Sequence, residues 1–125
     1  MIYPHWSKVS RLSWQYSHFK PYEIACRHCG ELSHDTDAME LLEVLRKLIN
    51  KPMYITSGYR CPAHNAMVGG APLSLHKTGQ AFDIALTPEI DKGILIGRAR
   101  NIGWGGVGSS YETFVHLDTG RVRNW

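Results

Sequence analysis

A chain of 125 residues, 43% hydrophobic and 20% charged, has the makeup of one globular domain large enough to bury a core. Its net charge of +3 is too slight to mark a nucleic-acid binder, although it suits an anionic target such as a cell-wall polymer. No run approaches the ~18 apolar residues of a membrane span, and Met1–Trp6 lacks the charged lead and apolar run of a secretory signal, so the chain is expected to be cytoplasmic as synthesised.

In chain order, residues 1–18 carry several aromatics without clean periodicity and read as an irregular N-terminal arm; residues 19–125 form the single domain. Phe19–Ile24 holds a short helical turn with Pro21 near its start. Cys26-Arg27-His28-Cys29 is a C-x-x-C pair, and Cys61 is the one further cysteine. An odd count argues against a pure disulfide framework, and a structural zinc needs more ligands than the pair supplies. Cys61, His28, His34 or His64 are the residues able to complete such a site. No second C-x-x-C exists, so reduced structural thiols in a short turn are the favoured reading.

The clearest helix runs from Asp37 to Ile49, where Ala38, Leu41, Leu42, Leu45, Leu48 and Ile49 recur at helical spacing. Asp35 or Thr36 caps it, and Asn50-Lys51-Pro52 ends it. Met53–Thr56 reads as a strand, and Pro62–Met67 as a short helix broken by Gly69-Gly70-Ala71-Pro72. In the strand Gln80–Leu86, Phe82, Ile84 and Leu86 face the core and Ala81, Asp83 and Ala85 the other side. Pro88–Ile102 reads as a second long helix capped by Thr87. Gly103–Gly108 lacks the Lys-Ser/Thr of a phosphate loop and reads as a tight turn and edge strand. Thr113–Leu117 is the final strand. The fold class is α+β, with helices packed on one face of a small, mainly antiparallel sheet.

The chemistry concentrates in Ser74-Leu75-His76-Lys77-Thr78-Gly79-Gln80-Ala81-Phe82-Asp83, which sets an imidazole and a carboxylate seven residues apart. A carboxylate inside an apolar strand is costly unless it is paired, with Arg60 for example, or bound to a metal. His116, between Val115 and Leu117, has a similar setting, and Asp118 shares its strand face. Two histidines and one aspartate form a three-ligand set that leaves a catalytic zinc one position for water.

Ser57-Gly58-Tyr59-Arg60, Asn65, Val68-Gly69-Gly70, the His76–Asp83 segment, Gly106-Val107-Gly108 and Phe114-Val115-His116-Leu117-Asp118 together resemble the D-Ala-D-Ala metallopeptidase family, which is related to the hedgehog signalling domain. Within it, His116-Leu117-Asp118-Thr119-Gly120-Arg121-Val122-Arg123 followed by Trp125 is similar to the short phage-type or murein endopeptidase-like members. The resemblance covers roughly residues 19–125. It implies a hedgehog/DD-peptidase-like fold and one catalytic Zn2+ bound by His76, Asp83 and His116. It also implies hydrolysis of peptidoglycan stem peptides or cross-links, as a carboxypeptidase or endopeptidase; the chain is expected to act as a monomer with no nucleic-acid partner. Arg60 matches the arginine that holds substrate near the reacting carbonyl, and Ser74 lies beside the ligand loop.

The general base has several candidates. Many relatives carry Glu or Asp three residues before the last zinc histidine, where this chain has Thr113. Asp118 is the first choice, as base or as the group that orients His116; in another register Asp118 is the ligand and His116 the base. Glu112 is an alternative base. Tyr59, Trp104 and Tyr111 are read as core residues rather than cleft residues. A free domain without a signal fits a phage or prophage lysis enzyme (an endolysin) that acts at the cell wall once released or delivered. The rivals are a non-catalytic zinc-containing binding module of the same fold, for cell wall or protein, and a structural zinc or redox protein centred on Cys26 and Cys29.

Overall fold

The apolar rows of two helices and two strands set the architecture. A computed structural model describes residues 2–125. Helix α1 (Pro21–Ile24) is followed by α2 (Thr36–Ile49), α3 (Pro62–Met67) and α4 (Lys92–Ile102). Strands β1 (Ile2–Tyr3) and β2 (Leu32–Ser33) form a two-stranded antiparallel ribbon. Strands β3 (Ile55–Ser57), β4 (Ala81–Ala85), β5 (Gly106–Gly108), β6 (Phe114–Asp118) and β7 (Arg123–Asn124) form one sheet in the order β3-β4-β6-β5-β7. All its pairings are antiparallel except β5 with β7. This is the α+β arrangement anticipated from the element order.

Helix α2 starts where Asp35 accepts the Ala38 N–H at 2.9 Å, and ends at Asn50 in the left-handed region (φ 54°), which asparagine tolerates. Its buried Leu42 and Leu45 join Leu95 and Ala99 of α4 and Phe82, Ile84, Val115 and Leu117 of the sheet in one core cluster. Each buried leucine contributes on the order of 2 kcal/mol. Because side chains alternate along a strand, Asp83 and His116 are turned to the opposite face, away from α2 and α4 and toward the segment that follows α3.

Three expectations change. Helix α4 begins at Lys92 rather than Pro88: residues 87–90 form a turn closed by the Ile90 N–H on the Thr87 carbonyl (3.1 Å). Asp91, not Thr87, caps the helix, accepting the Ile94 N–H at 2.9 Å. Second, β5 is not an edge strand, because β7 pairs along its outer side. Third, the arm contains β1 and a 3-10 turn at Trp6–Lys8, and Tyr3, Val9, Trp14 and Tyr16 pack against the core. Among the described residues, no helix is long and apolar enough to cross a membrane.

Candidate metal centre

The register of the central strands creates the site. Asp83 of β4 lies directly opposite His116 of β6, and Ala81 opposite Asp118. A 3-10 turn at Leu75–Thr78, with Ser74 accepting the His76 N–H (3.3 Å), delivers His76 to the same place. Gly79 ends that turn at φ 73°, in the left-handed region where glycine is unstrained, and the chain passes straight into β4. One donor atom each from His76, Asp83 and His116 lies within 4.8 Å of the others.

Each imidazole has one nitrogen held from outside and the other turned to Asp83. His76 Nδ1 lies 2.7 Å from the Gly58 carbonyl and can only donate to it, which places the proton there and a lone pair on Nε2. His76 Nε2 is buried, 3.2 Å from Asp83 Oδ1, and has no hydrogen-bond partner. A lone pair facing a carboxylate at that distance calls for a cation between them. His116 Nε2 lies 2.7 Å from Asp118 Oδ2, and its Nδ1 lies 3.0 Å from Asp83 Oδ1. Two imidazoles braced in this way and one carboxylate fit the donor set of a zinc ion with an open position.

The electrostatics follow from the same contacts. Burial pushes the Asp83 carboxyl up, but the hydrogen bond from His116 and the nearby His76 imidazole outweigh it and hold the group at about 2. Burial pulls His116 down, yet its bonds to Asp118 and Asp83 raise it above the ordinary histidine value. Asp118 is opposed by burial too, and His116, Arg123 and the Gly120 N–H hold it far below the usual carboxylate range.

Arg60 is half-buried beside the triad. Its Nε donates to Ser57 Oγ at 3.0 Å, and one terminal nitrogen reaches Asn65 Oδ1 at 3.3 Å. The other lies 3.5 Å from Asp83 Oδ2, so the ion pair and the cleft position coexist. A cleft of about 400 Å3 opens on the triad, lined also by Arg60, Ser74, Tyr111, Phe114 and Trp125. A larger groove of about 700 Å3 lies elsewhere, among Trp6, Trp14 and Tyr16 of the arm, and holds none of the triad.

The two candidate bases do not meet the triad from the cleft. Asp118 is fully buried, across the His116 ring from Asp83, and takes no part in the cleft lining. Arg123 clamps both its oxygens (2.9 and 2.7 Å) and the Gly120 N–H adds a bond at 2.9 Å. That saturation suits the orienting role. Glu112 is exposed on the loop before β6, next to Tyr111, and does not line the cleft. Thr113 is exposed as well.

Of the three aromatics assigned to the core, Tyr59 and Trp104 are buried, whereas Tyr111 lines the cleft, stacked on Phe114 at 4.3 Å. Sequence reasoning gave no role to Arg123, Trp125 or Asn65. The Trp125 ring lies 5.1 Å from His116, and its Nε1 donates to the Tyr111 hydroxyl at 2.9 Å. Strand β7 is only two residues long, Arg123–Asn124, so no local pattern announced the place of Arg123 beside Asp118.

A family model described as Peptidase M15 matches residues 17–118, a span that takes in His76, Asp83, His116 and Arg60. No curated protein matches the chain at a significant level.

Proposed function

The chain belongs to the Peptidase M15 family, a family of zinc-dependent metallopeptidases, and from that premise we propose that it hydrolyses peptide bonds in peptidoglycan stem peptides or cross-links, with His76, Asp83 and His116 as the ligands of one zinc ion. The observation that carries this reading is the braced geometry of the two imidazoles around Asp83, on the wall of a cleft. The ion, when bound, supplies Lewis acidity and a water of lowered pKa.

The remaining work falls to side chains of the chain itself. Gly58 and Asp118 fix the two imidazoles so that each presents a lone pair. Arg60, already tied to Ser57 and Asn65, offers its guanidinium to the oxyanion that develops on the scissile carbonyl, or to a substrate carboxylate. Ser74 holds the ligand turn at its start. Tyr111 and Trp125 give the cleft an apolar wall that positions a peptide and limits water. Asp118 acts through His116 and is a positioning residue in this reading. Of the two candidate bases, Glu112 is the one left for proton transfer to the leaving amine: it does not line the cleft, and reaches it only by turning in from its exposed position next to Tyr111.

Incubating the purified chain with peptidoglycan tests the reading. Free amines should appear, mass spectrometry of the fragments should identify the bond, and His76→Ala should abolish release together with the zinc of this site. Zinc retained at the triad with no amine release at any pH would overturn the enzyme reading in favour of a binding module.

A further inference from the structure

The loop that braces the triad also touches a second cluster. Gly58 and Arg60 face His76 and Asp83, whereas Tyr59 and Cys61 pack with Cys26. The sulfurs of Cys26, Cys29 and Cys61 all lie within 4.8 Å of one another, and none is in a disulfide. Cys26 and Cys61 are buried and Cys29 is exposed.

The sequence contains no second C-x-x-C, but it does contain Cys61-Pro62-Ala63-His64. Two ligand pairs at the same two-residue spacing, one in each of two segments, match the layout of a structural zinc site. The first pair sits in a tight turn, with the Gly30 N–H on the Cys26 carbonyl (2.9 Å) and Gly30 at φ 78°. In the second pair, Cys61 caps α3 and its sulfur accepts the His64 N–H at 3.4 Å. His64 Nδ1 is buried without a hydrogen-bond partner, as His76 Nε2 is in the triad. The His64 ring also lies flat on that of His28, at 5.8 Å and 1°, so the two segments already meet there.

We propose that Cys26, Cys29, Cys61 and His64 hold a second, structural zinc ion. Thiolates with an imidazole favour zinc over harder cations. Each cysteine releases its proton to solvent on binding, and a turn of the His64 side chain closes the tetrahedron. Four protein ligands leave no position for water, so the ion is not hydrolytic. Its effect is to staple the turn at Cys26–Gly30 to the loop at Gly58–Cys61. That loop carries the carbonyl that braces His76 and the guanidinium that faces Asp83.

Metal analysis of the full chain, purified with reductant, separates this site from the triad. The His76→Ala protein should keep one zinc equivalent, with X-ray absorption showing sulfur neighbours at about 2.3 Å. Cobalt replacing that zinc should give thiolate-to-metal charge-transfer absorption, and zinc should protect Cys29 from alkylation until a chelator is added. The pair Cys26→Ser/Cys29→Ser should lose that equivalent, and His64→Ala should give it up to a chelator at least tenfold faster. Should the serine variant fail to fold, the His76→Ala spectra still decide the question. The proposal falls if the His76→Ala protein holds no zinc or shows no sulfur scattering, if His64→Ala releases zinc no faster, or if the intact mass shows a disulfide among the three cysteines.

Discussion

At the residue scale, the site depends on hydrogen bonds that lie behind the ligands. Buried Asp118 pairs with the half-buried Arg123, and the output of the pair is the orientation of His116. Asp118→Asn should weaken zinc binding at the triad about 10- to 100-fold, since partners of ligating histidines typically carry that much; chelator competition measures it. Glu112→Gln should leave zinc affinity unchanged and lower kcat by about 100-fold or more if Glu112 transfers the proton. An unchanged kcat would remove Glu112 from the mechanism. Arg60→Ala should lower kcat about 100- to 1,000-fold, as loss of an oxyanion donor does. Arg60→Lys should not restore it, because a single ammonium cannot reach Ser57, Asn65 and substrate together.

The raised His116 pKa has a pH consequence with a definite sign. Ligation needs the Nδ1 lone pair, so a metal competes with the proton that Nδ1 of the protonated ring donates to Asp83, while Nε2 keeps its bond to Asp118. Zinc affinity should therefore be full above that raised pKa and fall by about tenfold per pH unit below it. In chelator, fold stability follows the opposite course for this group. The contribution of His116 is complete below its unfolded value of ~6.5 and is lost as pH rises through its folded value. The contribution of Asp83 is complete above its unfolded value of ~3.9 and is lost as pH falls toward about 2. Calorimetric zinc titrations at several pH values check the first slope, and melting curves in chelator the other two.

At the element scale, β5 owes its sequence to its neighbours. A Cβ at Gly106 would overlap the Asp118 carboxylate, and one at Gly108 would press on the Trp125 ring. Glycine is needed at these positions for close approach rather than for a phosphate. Gly106→Ala should destabilise the fold by about 1–3 kcal/mol, as overpacking does, and loosen zinc at the triad by displacing Asp118. Urea melts with and without chelator read both effects. At the start of α2, Asp35→Ala should cost about 0.5–2 kcal/mol through loss of the cap and leave zinc affinity alone, because the backbone N–H that bonds the Gly79 carbonyl is kept. That contrast tests the separation of scaffold from site.

At the scale of the whole molecule, one sheet divides the labour. Its inner face joins α2 and α4 in the core, and its outer face carries Asp83, His116 and Asp118. The periodicity of Ala38 to Ile49 and the alternation of Ala81 to Ala85 made both faces legible in the sequence, because burial of apolar rows is a local pattern. The same alternation marked Asp83 and His116 as polar groups in apolar strands, the seven-residue spacing set His76 beside Asp83, and the resemblance added a substrate-binding role for Arg60. Three things depended on distant contacts that no local pattern encodes. One is the pairing of β7, which moved β5 inward and brought Arg123 onto Asp118. Another is the burial of Asp118 behind His116, which took it out of the cleft. The last is the convergence of Cys61 on Cys26 and Cys29. The sequence by itself determined which residue types could bind a metal. Only the tertiary structure decided which atoms face one another, because side-chain direction and saturation are set by neighbours far along the chain.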